Sequence, residues 1–379
     1  MKKGFAAIAL ALLLPAYALA ERIELTELAD AASGSSLAVF SVAEEQNETG
    51  KAAAPSEAAL AINGQIEARF AQQKAQAAMN RGAVVQQGRL WQDEKTASMA
   101  LLWKGEQADS SDGCTALALN VNLETGEEIR MEQLFADWNG ALERMETIIE
   151  QDVLENMSDY MEYSDLLPMP TDSFSFDEQG LTVYWPEDRY RYFDGTSGAV
   201  TFYWHELASC IGEESPVYAL AHPTVEENAL QTLCGSGSVS AQPSLKLGEL
   251  LGEIRYALAD PDYTTDALVY PLERERGYAV EIPKYAETEE EKTPVSAIRA
   301  SRVSMGGLLT TGQTTEAEVV ALLGQPVQEQ VLDEDAAFDA LLEPGKSLYY
   351  TLEERALQLH FDENGTLSCV ILRSAMPEN

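Results

Sequence analysis

Positive charge and histidine are both scarce in this sequence. Against 63 aspartates and glutamates stand 25 lysines and arginines, and the formal charge is −38. Such a surface repels nucleic acid and anionic lipid and draws cationic partners from a distance. The three histidines, His205, His222 and His360, lie far apart in the chain, which excludes a histidine-rich metal motif. The four cysteines, Cys114, Cys210, Cys234 and Cys369, include no C-x-x-C pair, so thioredoxin-like chemistry and a zinc knuckle are excluded as well. Also missing are a G-x-S-x-G elbow, an H-E-x-x-H helix and a Walker loop. Asp260-Pro261-Asp262 starts like a calcium loop, but Thr265 stands where the turn glycine belongs and Pro271 where the closing glutamate belongs. Nothing in the sequence calls for a metal or a cofactor.

Long apolar runs are absent beyond the first twenty residues. Met1-Lys2-Lys3 is a basic start, Phe5 to Leu14 is apolar, Pro15 breaks the run, and Ala18-Leu19-Ala20 has the small-x-small form of a cleavage site. The run is shorter than the roughly 20 residues that span a bilayer. Residues 1–20 therefore read as a signal peptide, and a secreted chain starting at Glu21 with no membrane span is expected.

What is present is enough apolar residue for real cores, 45% of the sequence. Leu37 to Ala43 reads as a strand. Pro55-Ser56 opens a helix to about Asn80, with Leu60, Ile66 and Phe70 toward one side. Three strands are expected over Ala83–Gln92, Lys95–Lys104 and Cys114–Leu123, the last presenting Leu117, Leu119, Val121 and Leu123 on one face. A second helix carries Leu142, Met145, Ile149 and Val153 on one stripe. Asp172 to Trp185 reads as a hairpin turning at Asp177-Glu178-Gln179-Gly180, and Ala199 to Trp204 as a closing strand. "CGSGSVSAQPS", Cys234 to Ser244, has linker composition, so residues 21–211 and 245–379 are expected as two modules joined by a 212–244 linker. The second module starts with a helix around Leu247 to Leu258. Thr315-x-x-Glu318 is a capping box for a helix ended by Gly324. Strands follow at Leu348–Thr351, Ala356–Phe361 and Leu367–Arg373. Strands and helices mix without regular βαβ alternation, so the fold class is α+β, each module an antiparallel sheet packed with helices. A Cys210–Cys234 bridge would staple the first module's tail, and Cys369 reads as a buried free thiol.

The order of motifs resembles a known family. Thr125-Gly126 after a strand, Met131-Glu132-Gln133-Leu134-Phe135 before a helix, Phe176, Gly180-Leu181-Thr182-Val183, Tyr190, Tyr192, Gly198 and Glu206-Leu207 are similar to the exported domain of RsiV-type anti-sigma factors. PdaC-type peptidoglycan deacetylases carry the same domain, domain of unknown function 3298. The resemblance covers roughly Glu21 to Ile211. It departs from the family at Ser111-Asp112-Gly113-Cys114 and at Asp194-Gly195-Thr196-Ser197. Gly312-Gln313-Thr314-Thr315, Leu323-Gly324-Gln325-Pro326, Tyr349-Tyr350 and "LHFDENGTL" resemble the small modules of envelope lipoproteins and β-lactamase-inhibitor-like proteins. Such modules bind proteins rather than turn over substrates.

One stretch stands apart. In "RYRYFDGTSGAVTFYWHEL", Phe202 and Trp204 are expected to face a core. Tyr190, Tyr192 and Phe193 lie among Glu187, Asp188 and Asp194 and lead into a glycine turn. Tyrosines ringed by acids are the composition of a protein-binding patch. The expectation is a secreted, non-catalytic cell-envelope binding or sensing protein, its partner a cationic protein such as a lysozyme or a cell-wall component. The alternative is a peptidoglycan-active enzyme or an accessory domain of one.

Overall fold

The computed structural model describes residues 22–30, 35–43, 55–79, 84–105, 115–156, 166–185, 199–226, 228–240, 245–272, 277–284 and 290–374. The proposed signal peptide and Cys114 lie outside them. The fold is α+β, as expected.

The first sheet has five strands in the order β1 (Ile23–Asp30), β2 (Ser35–Val42), β3 (Val84–Gln92), β4 (Thr96–Gly105) and β5 (Thr115–Asn122). All neighbours are antiparallel except β2 and β3, between which the helix α1 (Glu57–Met79) makes the crossover that a parallel pair requires. Period-two alternation gives this sheet two unlike faces. Met99, Leu101, Leu119, Val121 and Leu123 meet Ile62, Ile66 and Phe70 of α1. Leu60 was expected on that side, yet it is 58% exposed; Ala59 and Ile62 take the inward positions. The opposite face carries the smaller Ser98, Ala100, Ala116, Ala118 and Asn120, all buried. Their size lets a second sheet approach closely, with Tyr184 lying against the alanines.

That second sheet is β6 (Phe174–Phe176), β7 (Gly180–Tyr184) and β8 (Ala199–Tyr203), antiparallel throughout. It is pinned by Asn120 Nδ2 donating to the Phe174 carbonyl at 2.8 Å and by the Phe176 amide donating to Ser98 Oγ at 2.7 Å. A Cβ on Gly180 would sit 2.1 Å from the Phe202 carbonyl oxygen, so only glycine lets β7 start against β8. The helix α2 (Trp138–Asn156) packs Met145, Ile148 and Ile149 into the same core as Phe174, Phe176, Leu181, Val183, Phe202 and Trp204. Phe202 and Trp204 are both buried, as expected, although Trp204 opens the one-turn helix α3 (Trp204–Leu207) instead of closing the strand.

A short helix, α4 (Tyr218–Ala221), leads to α5 (Ala229–Ser236). The stretch expected to be a linker is thus helical up to Ser236. Gly237 terminates the helix in the left-handed region at φ 76°, and Leu230, Cys234, Val239 and Leu245 are buried in the large C-terminal core. The small polar residues there serve a helix end and a turn, which is why their composition imitates a flexible tether. Residues 241–244 lie outside the described set. Cys210 and Cys234 are free thiols in separate cores, so the expected bridge is not formed. Cys369 is a buried free thiol, and burial pushes it up to about 11.

The helix expected from Leu247 shrinks to α6 (Leu251–Ile254) and a 3-10 turn, Arg255–Ala257. Gly248 at φ 87° and a bridge between Leu250 and Pro294 delay its start. The large sheet then forms from β9 (Asp262–Tyr263), β10 (Ala267–Pro271), β11 (Tyr278–Pro283) and β12 (Ala297–Ala300), continued beyond the hairpin β13 (Ser304–Met305) and β14 (Leu309–Thr310). The helices α7 (Glu316–Leu323) and α8 (Glu334–Ala340) flank β15 (Gln328–Leu332), and β16 (Gly345–Leu352), β17 (Arg355–Phe361) and β18 (Leu367–Arg373) follow. The strand order is β15-β16-β17-β18-β12-β11-β10-β9. The α7 capping box forms as expected, with Thr315 Oγ1 accepting from the Glu318 amide and Glu318 accepting from the Thr315 amide.

The two parts meet at a buried ion pair. Arg302 donates from Nε to Glu206 Oε1 at 2.8 Å and from Nη2 to Oε2 at 2.7 Å, and Nη2 also reaches the Thr201 carbonyl at 3.0 Å. Its guanidinium lies 4.8 Å from the Tyr203 ring centroid, and Tyr203 meets Tyr278 edge-on. Tyr203 thereby belongs to the C-terminal core while its neighbour Phe202 belongs to the N-terminal one.

Candidate binding surface

Glu187, Asp188, Tyr190, Tyr192, Phe193 and Asp194 all lie outside the described residues. The stretch before them ends at Trp185, buried and donating from Nε1 to the Leu166 carbonyl at 2.9 Å, and the stretch after them resumes at Ala199 in β8.

The same composition occurs elsewhere, at the β9 edge of the large sheet. Tyr256 on the 3-10 turn is 85% exposed and Tyr263 on β9 is 59% exposed. Glu253, Asp260, Asp262 and Asp266 on the same segments are exposed too. The platform beneath is held firmly. Arg255 donates to the Leu258 carbonyl at 2.7 Å and to Asp260 at 3.4 Å, and its guanidinium lies 5.5 Å from the Tyr270 ring. The Ala259 amide donates to the Pro271 carbonyl at 2.9 Å, and the Ala267 amide to Thr264 Oγ1 at 2.9 Å. Tyr270, buried under the turn, donates to Glu290 at 2.6 Å. Burial and the Glu290 carboxylate raise its phenol well above the usual tyrosine range. Lys284 is the cation set against Tyr263, with Nζ 6.0 Å from the ring centroid. Exposed rings on an ordered backbone, among carboxylates, suit docking of a cationic surface. Sequence reasoning missed these tyrosines because Tyr256 was read into the Leu247–Leu258 helix and the stretch from Asp260 only as a failed calcium loop. The signal was available: two tyrosines within a run holding Asp260, Asp262 and Asp266 and a single arginine.

A second polar assembly lies on the sheet face turned away from the large core. Glu281, Arg299, Gln358, Ser347 and His360 are buried there beneath the 340–343 segment. His360 Nε2 pairs with the Glu343 carbonyl at 2.8 Å, which can only accept, so Nε2 carries the proton. With the imidazole neutral, Ser347 Oγ donates to Nδ1 at 2.9 Å and accepts from Gln358 Nε2 at 3.1 Å. Arg373 in turn donates to Gln358 Oε1 at 3.3 Å and to Glu281 at 2.6 Å, and Arg299 bonds Glu281 directly. Burial would push the Glu281 carboxyl up, but the two guanidiniums outweigh it and hold it below the usual range. This chain contains a serine hydroxyl on a histidine, as a hydrolase does. Here both residues are fully buried and every polar end is consumed in the fold, so the pairing serves structure.

His205 is the other unusual histidine. Burial brings it down to about 4, its ring stacks on Tyr203 at 5.9 Å, and Nε2 finds no hydrogen-bond partner among the described residues. No group of metal-ligating side chains occurs among the described residues, and no helix among them is long and apolar enough to cross a membrane.

No protein-family model matches the sequence, and no curated protein matches it. Solved structures do share part of its course. A DUF3298 family protein from Bacteroides fragilis is 9% identical, with a TM-score of 0.29, over 54% of this chain and 98% of its own. A DUF3298 family protein from Pseudomonas aeruginosa is 7% identical, with a TM-score of 0.31, over 51% of this chain and 92% of its own. A DUF4309 family protein from Bacillus subtilis is 15% identical, with a TM-score of 0.27, over 38% of this chain and 93% of its own. The likeness to DUF3298 proteins thus extends over about half of the chain.

Proposed function

We propose that this is an exported, non-catalytic binding protein of the cell envelope, with a cationic protein such as a lysozyme as its ligand. One observation carries the reading: Tyr256 and Tyr263 stand exposed among carboxylates on a well-bonded edge of the large sheet. The net charge of −38 supplies long-range attraction, and the rings supply the contact area that retains a docked partner. The sequence resemblance to the exported RsiV-type domain and to small envelope lipoprotein modules supports the same class of function. Binding of a cationic lysozyme, measured by surface plasmon resonance at low and moderate salt, tests it. Tyr256→Ala with Tyr263→Ala is expected to raise the off-rate about tenfold or more without altering the melt. Asp260→Asn with Asp262→Asn is expected to slow association and flatten its salt dependence. Absence of saturable binding by the wild type would refute the ligand class. An off-rate unmoved by the tyrosine pair would refute the surface.

A further inference from the structure

We infer that the opposite edge of the large sheet, at β15, is a second docking surface, which takes an extended basic segment of a partner protein as an added strand. This surface shares with the proposed function only the sign of the partner's charge. The two edges of an eight-stranded sheet lie about 34 Å apart at ~4.8 Å per strand, so they are separate sites.

Soluble proteins protect sheet edges with lysines, inward charges, bulges or very short strands. The β9 edge has the last of these, being two residues long. β15 has five residues, and residues 324–345 contain no lysine or arginine at all. The nearest cation, Lys346, is held by Glu316 at 2.7 Å and Glu329 at 3.0 Å. Apolar residue is displayed instead: Val327 is 65% exposed and Val331 77% exposed. By period-two alternation these flank Glu329 on one face of the strand. The helix that follows at once, capped by Asp333, carries Phe338 at 80% exposure.

The occupant follows from charge. Residues 324–345 hold six acids, among them Glu329, Asp333 and Asp339. A second copy of this chain would bring two such segments together, and like charges opposed across a strand pair are unfavourable. A segment whose alternate positions read apolar, basic, apolar presents all three on one face, and so meets Glu329 with a cation and the valines with apolar side chains, while its main chain extends the ladder.

The probe is a synthetic Lys-Thr-Val-Thr-Lys-Thr-Val-Thr-Lys peptide, whose lysines and valines share one strand face, titrated into the full chain by fluorescence anisotropy and followed by hydrogen exchange. Saturable binding with new protection at residues 327–332 is expected. A peptide of the same sequence with alternate amides N-methylated keeps its charge but cannot add a strand, and should bind at least tenfold more weakly. Val331→Lys, which restores the missing edge lysine at an exposed position, should weaken binding at least tenfold with an unchanged melt. The Tyr256→Ala/Tyr263→Ala variant should bind the peptide as the wild type does, which separates this site from the tyrosine surface. Equal binding of the N-methylated peptide, protection at β9 instead of β15, or no binding would overturn the inference. So would a dimer of the wild type that Val331→Lys dissolves, since the occupant would then be a second copy.

Discussion

Arg302→Met tests whether the joint between the two cores is held by a buried charge pair. The substitution keeps most of the side chain's volume but removes both bonds to Glu206, at 2.8 and 2.7 Å, and the bond to the Thr201 carbonyl. Both side chains are largely shielded, at 17% and 10% exposure. Burial on its own would raise the Glu206 carboxyl; the Arg302 guanidinium beside it more than compensates and keeps it below the usual range. Without the arginine, a desolvated carboxylate is left with its bond from the Tyr203 amide at 2.8 Å. Breaking a buried pair in this way costs about 3–5 kcal/mol. Adding Glu206→Gln to Arg302→Met removes the stranded charge while a carbonyl oxygen remains for the Tyr203 amide, so most of the loss should be recovered. Urea unfolding at pH 7.5 and two salt concentrations measures the wild type and both variants, and the loss should hardly change with salt. A cost below about 1 kcal/mol for Arg302→Met would mean the pair behaves as a surface salt bridge. Failure of Glu206→Gln to rescue would mean the stranded charge is not the cause.

Two further outcomes are expected. His205 sits at about 4 in the fold against 6.5 in the unfolded chain, so between these values the unfolded state holds the proton. Its contribution is therefore complete above pH 6.5 and is lost as the pH falls toward 4, to the extent of roughly 3 kcal/mol at ~1.4 kcal/mol per unit. His205→Phe keeps a ring against Tyr203 and should flatten that part of the profile in urea titrations between pH 7 and 4.5; an unchanged slope would refute it. Gly180→Ala places a methyl 2.1 Å from the Phe202 carbonyl oxygen and should destabilise by about 1–3 kcal/mol, seen as an early thermal melt.

Where one face of an element is apolar, the sequence was readable. The alternation of Leu117 to Leu123 placed β5, and the 145–149 stripe oriented α2, because burial acts on period two and period 3.6 directly. The failures have their own causes. Leu60 looked like part of a helix stripe, but alanine and Ile62 pack closer to a sheet and left it outside. The burial of Glu281, Arg299 and His360 left no local signal in the sequence, since the partners that satisfy them come from segments distant in the chain. The 234–240 stretch looked flexible because the glycine and serine that end a helix are also those that make a tether. The tyrosine-and-acid pattern read at 187–194 lies outside the described residues, and its recurrence at 256–266 went unread because Tyr256 fell within an expected helix and the aspartates within a failed calcium loop.

The strand order of the large sheet decides how its halves come together. β9 to β12 and β15 to β17 each pair with neighbours in sequence, so each half is a local meander. They join only through β18, which is registered on β17 at one side and on β12 at the other. Until β18 docks, each half ends in a raw edge carrying core residues, Ile298 on one and Leu357 and Leu359 on the other. Closing that seam requires contacts far apart in the chain, which is the slow kind of step in folding. β18 is thus the keystone of the sheet, and the interval before it seats is when the protein's most adhesive surfaces face outward.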